Sequence, residues 1–279
     1  MYVNLLQVDL GNDTTVCRGN SMIIAAKTPG NLNLPGNLRN GLLGYWPFNG
    51  NANDVSGNGN HLSFSGNPTI NFDKSNRFSG YFLDGDDNFF TTSNFFNTTN
   101  DHSVSIWFKL YDSTRNTNTI YNTSPHRNVS IGYNTYFLNQ TKGFSYCLGN
   151  SSTNTWYNCG STSSFYPDFE ASQWNNITVI RNGAFWHFYI NGKLQHLFNS
   201  NQNYLNQGIN LMFGSISCCS GEFYKGWLDD ISVFNRALSP SEIQQLFNHG
   251  QSSTLWSTGD TTPTINVTPT QTTTYYCTV

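Results

Sequence analysis

The densest run of oxygen ligands in the chain is Asn-Ala-Asn-Asp-Val-Ser-Gly-Asn-Gly-Asn at residues 51–60. A calcium ion collects about six to eight oxygens from carboxylates, side-chain amides and backbone carbonyls. This stretch supplies all three kinds, and its glycines let the chain wrap tightly. It nominates the Asp54 carboxylate, the Asn60 side chain and the Gly57 carbonyl as calcium ligands, with Asn58 a weaker candidate. The plainer alternative is that Asp54 only caps a turn and Asp229 pairs with a basic residue. A second acidic cluster, Asp84-Gly85-Asp86-Asp87, reads as a solvated turn before it reads as a ligand set.

Acid–base chemistry is poorly provided for. Glycoside hydrolysis needs two carboxylates at a fixed separation. The glutamates are Glu170, Glu222 and Glu242, and none has a second acid at strand spacing. Asp229 and Asp230 are adjacent, so on a regular strand they point to opposite faces and are not expected to act together. No Gly-x-Ser-x-Gly elbow, metalloprotease His pair or phosphate loop occurs. The chain is expected not to be an enzyme.

Six cysteines, at positions 17, 147, 159, 218, 219 and 277, show neither CxxC units nor Cys/His clusters. Disulfides are therefore expected ahead of zinc, and with them an oxidising, secreted or cell-surface location. Sequons such as Asn128-Val-Ser and Asn176-Ile-Thr suit surface loops of an exported protein.

Composition says what must position these groups. Charged residues make up 10% of the chain and aromatics 15%, with a net charge of −3. The aromatic mass suffices for a core, and the Asn, Ser, Thr and Gly that replace charge favour turns and strand edges, so an all-β protein is expected. There is no basic run for nucleic acid and no apolar stretch of membrane-spanning length. The opening residues lack the basic and apolar regions of a signal peptide, and the chain reads as a piece of a longer secreted protein.

The strand signals are Ser79 to Leu83, Ser103 to Leu110, Gly143 to Leu148 and Gly226 to Phe234. Across residues 176–198, two Asn-Gly pairs separate three alternating runs, which predicts a three-stranded meander with tight turns. One helix is predicted, with Ser239 as N-cap, Pro240 at its first position and Glu242 completing a capping box. Residues 28–37, rich in Pro, Gly and Asn, have the chemistry of a linker.

Residues 41–248 resemble the bacterial laminin-G-like family of the concanavalin-A-like superfamily. The resemblance is carried by Gly-Tyr-Trp-Pro-Phe-Asn-Gly-Asn-Ala-Asn-Asp-Val-Ser-Gly-Asn-Gly-Asn-His (44–61), Leu-Asp-Gly-Asp-Asp (83–87) and Leu-Asp-Asp-Ile-Ser-Val-Phe-Asn-Arg-Ala-Leu-Ser (228–239). It implies a jelly roll of two curved antiparallel sheets. It also implies a calcium ion bridging the early loop to the aspartate of the last strand, which is Asp229 here. Hydrolases of the superfamily carry Glu-x-Asp-x-x-Glu or a similar strand motif, which is missing. Lectin-like recognition, also implied only by the fold, would use loop residues His126, Tyr157, Phe165 and Tyr166. Trp107, Trp174, Trp186 and Trp227 lie in strand patterns and are expected in the core.

The two ends resemble halves of one immunoglobulin-like repeat of large adhesive bacterial surface proteins. The matching runs are Asp-Thr-Thr-Val-Cys-Arg-Gly-Asn-Ser (13–21) and Leu-Trp-Ser-Thr-Gly (255–259), followed by a Thr-rich tail. The implied organisation is an immunoglobulin-like module in two halves, 1–40 and 251–279, with the sandwich of 41–250 inserted between them. That resemblance implies a Cys17–Cys277 disulfide across the small module. Cys147 would then pair with Cys159 and Cys218 with Cys219, or the first two would pair separately with the second two; the sequence leaves both open. The implied role is a non-catalytic, calcium-stabilised adhesion module. Its partners would be a glycan, extracellular matrix or neighbouring repeats, and the alternative is a structural spacer.

Overall fold

The computed structural model describes residues 17–25, 34–74, 78–96, 101–111, 113, 118–124, 129–133, 143–150, 155–158, 164–200, 209–215, 223–249, 255–260 and 264–278. After β1 (Met22–Ala25), a 3₁₀ turn (Gly36–Arg39) precedes β2 (Leu42–Trp46), β3 (Ser63–Ser65), β4 (Thr69–Phe72), β5 (Phe78–Asp84), β6 (Phe89–Phe96) and β7 (His102–Leu110). Next come β8 (Asn118–Ser124), β9 (Val129–Tyr133), β10 (Phe144–Asn150), β11 (Thr155–Asn158) and the short β12 (Ser164–Phe165). The meander is β13 (Asn175–Asn182), β14 (Phe185–Ile190) and β15 (Lys193–Asn199). Then follow β16 (Ile209–Phe213), β17 (Lys225–Phe234), α1 (Pro240–His249), β18 (Leu255–Trp256), β19 (Thr264–Val267) and β20 (Cys277–Thr278).

Two eight-stranded antiparallel sheets form a jelly-roll sandwich. One runs β15-β14-β13-β7-β17-β5-β4, with β2 also on β17; the other runs β11-β10-β9-β8-β16-β6-β3, with β12 on β10. Strand alternation fills the space between them. On β7, Val104, Ile106, Phe108 and Leu110 enter the main core beside Trp46, Phe90, Phe144, Trp186 and Phe213. The intervening Ser103, Ser105, Trp107 and Lys109 face the other side of the sheet.

That outer side is partly roofed. Ile243 and Leu246 of α1 join Leu42, Tyr45, Ile180, Tyr189, Phe234 and Leu238 in a second apolar cluster. Leu34 and Leu38 are buried in it too, so the stretch with linker composition packs onto the sandwich from residue 34. Phe247 of α1 stacks on Trp107 at 5.5 Å and 10°. Next to this roof, Ser105 Oγ accepts from Asn176 Nδ2 (2.9 Å) and Thr178 Oγ1 (3.1 Å). Asn176 is 1% exposed, so it is not the surface sequon its sequence suggests.

The meander forms as its turns demand. At the second turn Asn191 and Gly192 both have positive φ, as a type I′ turn needs. A Cβ at Gly192 would lie 2.8 Å from Oε1 of the exposed Gln244, which can swing away, so it is the positive φ that calls for glycine there. At the first turn Asn182 still pairs with Phe185, so the turn shifts one residue to Gly183-Ala184. The helix begins with its predicted box: Ser239 N–H donates to Glu242 Oε2 (2.9 Å) and Glu242 N–H to Ser239 Oγ (3.3 Å).

The chain ends build a separate small cluster. β1 pairs with β19 and β18 with β20. Trp256, Ile265 and Val267 are buried there against Met22, Ile24, Tyr275 and Cys277. The expected Cys17–Cys277 bridge is not formed. Cys17 is exposed on a turn ahead of β1, while Cys277 is half-buried beside Trp256, so the two do not face each other across a core. Cys147 is disulfide-bonded, and Cys159, Cys218 and Cys219 lie outside the described residues.

The helix start carries a pH signature. The Arg236 guanidinium grips both Glu242 oxygens, at 2.9 and 2.7 Å, and with Ser239 pulls this carboxyl down to about 2 from its ordinary 4.5. The stabilisation is complete above the ordinary carboxyl range and is lost as pH falls through the folded value. Glu242→Gln is expected to lower stability by about 1 kcal/mol at neutral pH. The difference from wild type should shrink as melts are run from pH 4.5 towards pH 2.

Candidate functional site

The calcium candidates fall into two separate arrangements. Asp54 is 7% exposed, and its carboxylate is saturated by the protein itself. Oδ1 accepts from the backbone N–H of Tyr45 (3.0 Å) and Ser56 (2.8 Å); Oδ2 accepts from Ser56 Oγ (2.8 Å) and the Asn60 N–H (2.9 Å). Asn58 and Asn60 turn their NH2 groups, not their oxygens, towards the Leu43 carbonyl, at 3.1 and 2.8 Å. The Asn60 carbonyl accepts from Trp46 Nε1 (2.8 Å). Gly57 supplies positive φ in this wrapped loop.

Asp229 lies elsewhere, against a lysine. β17 pairs with β7 along one flank, while its other flank is shared. Residues 225–228 pair with β5, and residues 231–234 pair with β2. Asp229 and Asp230 occupy the joint between them, where the register slips and Asp230 takes φ 41°. The left-handed residue overturns the alternation expected of a regular strand, and both carboxylates turn to the Lys74 ammonium. Asp229 Oδ2 is 3.1 Å from Lys74 Nζ, and Asp230 Oδ2 also accepts from it. Tyr45 Oη–H donates to Asp230 Oδ1 (2.6 Å), and the ammonium sits 5.3 Å from the centre of the Trp107 ring. The lysine and Asp229 side chains are 4% and 1% exposed, so this is a buried ion cluster.

These residues do not fit a calcium ion shared between loop and strand. The loop carboxylate accepts from four protein donors, and an ammonium holds the strand carboxylates. Among the described residues no group of three or more His, Cys, Asp or Glu is placed to hold a metal. Hydrogen bonds and Lys74 make the tie that the metal was expected to make.

The loop aromatics divide. Phe165 is 5% exposed and stacks on Phe144 at 5.3 Å, so it belongs to the core and not to a contact surface, because its short strand pairs with β10. Tyr166, the next residue, points outward at 59% exposure. Tyr157 lies on β11, with its side chain outside the described residues, as is all of His126. Asp84 accepts from Asp86 N–H (3.0 Å), the turn its sequence suggests.

An aromatic platform escapes the sequence reading. On the outer side of the first sheet, beyond the reach of α1, the ladder sets Thr69, Phe82, Trp227 and Lys109 side by side on four successive strands. Tyr111 closes a triangle of rings, with centroids 4.9 Å apart for Phe82–Trp227, 5.8 Å for Phe82–Tyr111 and 5.9 Å for Tyr111–Trp227. Lys109 Nζ lies 5.0 Å from the Trp227 ring centre and Lys225 Nζ 4.7 Å from that of Tyr111. Trp186 and Trp107 are buried as expected, but Trp227 is only half-buried, as is Trp174, which lies just ahead of β13 and not in a strand. The signal was its phase: Trp227 alternates with the inward Leu228, and Lys109 with the inward Phe108.

Gly226 sets this platform. Its φ is 155°, and a Cβ would lie 2.2 Å from the Lys109 carbonyl oxygen, onto which Tyr224 Oη–H also donates (2.8 Å). No side chain fits between Lys225 and Trp227 without parting β17 from β7.

The two stacked antiparallel sheets define the class of the protein. The chain belongs to the concanavalin A-like lectin/glucanases superfamily, whose laminin-G family model matches residues 83–244. Similar solved structures include the binding domain of botulinum neurotoxin serotype D/C, at 18% identity and TM-score 0.61, covering 78% of this chain and 54% of that one. A binding domain of botulinum neurotoxin DC in complex with SialylT has 18% identity and TM-score 0.60, covering 78% and 53%. Domain 4 of AbnA, a GH43 extracellular arabinanase from Geobacillus stearothermophilus, in complex with arabinotriose, has 20% identity and TM-score 0.57, covering 74% and 97%. The chain thus spans about half the length of the toxin domains, and at these identities the likeness is one of fold. No curated protein matches the sequence.

Removing the buried cation has a calculable effect. Lys74→Met strands two buried carboxylates and is expected to lower stability by about 3 kcal/mol. Adding Asp229→Asn and Asp230→Asn to it should recover more than half of that loss in urea melts. Millimolar calcium should leave the wild-type midpoint where chelator leaves it; a calcium-dependent rise abolished by Asp54→Ala would restore the metal.

Proposed function

We propose that this chain is a non-catalytic binding module that recognises carbohydrate on an exported or surface-borne partner, using the face of Trp227, Tyr111 and Phe82. The carrying observation is the triangle of rings, exposed at Tyr111 and half-buried at Phe82 and Trp227, on four paired strands. Sugar rings present C–H faces that pack on aromatic rings, and fixed aromatics lose little entropy on binding. Tyr111 is 57% exposed, so the face is open to a ligand. Support also comes from relatives of the same fold: an arabinanase domain in complex with arabinotriose and a toxin binding domain in complex with SialylT. The carboxylates argue against hydrolysis. Glu242 is engaged by Arg236, and Asp229 and Asp230 share the ammonium of Lys74, so none is left in a pair flanking an open site.

An exported setting is supported by the Cys147 disulfide, since disulfides persist mainly where thiols are oxidised. Among the described residues no helix is long and apolar enough to cross a membrane. The pairing of β1 with β19 supports a small module built by both chain ends, with the sandwich inserted in it, as an adhesive surface repeat would carry it. The spacer reading has no observation that favours it over binding, since a spacer needs no open aromatic face.

Retention of the protein on gels containing soluble polysaccharides tests this reading. Trp227→Ala should weaken the best hit about tenfold or more, the loss expected of a central aromatic anchor. Tyr166→Ala, on the far loop, should bind as wild type does. Binding unchanged in the Trp227 variant would remove the platform from the function.

A further inference from the structure

We infer that the ligand of the Trp227 platform is an acidic saccharide, one carrying carboxylates directly on its sugar rings. The inference rests on the binding-module reading and adds the chemistry of the ligand. Lys109 and Lys225 are the two cations at the platform, and each stands over one of its rings, at 5.0 and 4.7 Å. Neither has a carboxylate partner among the described residues. Asp84, opposite Lys225 in the ladder, turns Oδ1 to the Asp86 N–H instead. In a chain with 13 Lys and Arg among 279 residues, two uncommitted ammonium groups on one aromatic surface mark it as positive within a protein of net charge −3. Lys74 and Arg236, by contrast, are tied to acids.

An ammonium over a ring at an exposed site is held more weakly than one donating to a carboxylate. An arriving carboxylate therefore draws each lysine off its ring and leaves the ring face for the sugar. The same residues that shield the platform when empty pair with the ligand when it is filled. The geometry favours carboxylate over sulfate ester. The ammonium nitrogens start 5.0 and 4.7 Å from the ring centres, and a carboxylate fixed to a ring carbon of a stacked sugar stays within the short swing of a lysine leaving its ring. A sulfate ester projects further from the ring. Long-range attraction adds a salt dependence that a neutral sugar would lack.

The test uses the whole chain and three probes: polygalacturonate, the same polymer fully methyl-esterified, and dextran sulfate. Affinities are read by gel retention and calorimetry at low and at physiological salt. Polygalacturonate should bind at least tenfold tighter than its ester and lose affinity as salt rises. A Lys109→Gln/Lys225→Gln variant should lose that preference, with its melting midpoint close to wild type, while Trp227→Ala loses both polymers. Equal binding to the ester would overturn the acidic assignment and leave the binding module standing. Tighter binding to dextran sulfate, or lysine variants that bind as wild type, would overturn it too. If no saccharide binds, the inference and the module reading fall together.

Discussion

The joint in β17 governs this molecule. A ten-residue strand has β7 along one side and two different strands, β5 and β2, along the other. Those two strands cannot meet end to end without leaving a gap in the ladder. The gap is bridged by charge: Asp229 and Asp230 face it, and Lys74, carried just past β4, enters it. A buried ammonium with two carboxylates is costly to desolvate, and it persists only where hydrogen bonds complete it, as Tyr45 does here. The cluster holds together segments far apart in sequence: the early loop through Tyr45, the β4 end through Lys74 and the last strand. The register of β17, and so the direction in which Trp227 points, depends on that joint.

From the joint, the outer face of the first sheet divides in two. On one side the apolar residues Leu42, Tyr45, Ile180 and Phe234 lie under α1. On the other, Lys225, Trp227 and Lys109 lie beyond the helix. A strand of regular pairing would have carried one kind of residue along its whole outer edge. The slip at Asp229 allows β17 to be roofed at one end and open at the other, which is what a site on a rigid support needs.

Much of the fold was legible because its signals are local. The meander is written in two Asn-Gly pairs, and the helix start in Ser239, Pro240 and Glu242. The sandwich shows in strand alternation and in the motif residues at 44–61 and 228–239. The shift of the first turn to Gly183 was not legible, because the extra pair Asn182–Phe185 is a tertiary outcome. The site was less legible for the same reason. Asp229 and Asp230 look like opposite-facing neighbours until one knows that two strands share a flank of β17. Phe165 looks like a loop residue until its two-residue pairing with β10 is seen. The platform draws on β4, β5, β7 and β17, and only the register brings Phe82 beside Trp227.

The pairing of β1 with β19 has a mechanical side. The chain enters the sandwich after Ala25 and leaves it before Thr264, and these two residues are partners at one end of the ladder, with Met22 and Val267 at the other. Tension applied ahead of Met22 and beyond Val267 pulls on the far end and parts the four pairs one after another, in the manner of a zip. While these pairs hold, the two strands carry the load between them, alongside the pairing of β18 with β20. The two short strands act as a fuse, and the aromatic face keeps its shape while the backbone that carries it is under strain.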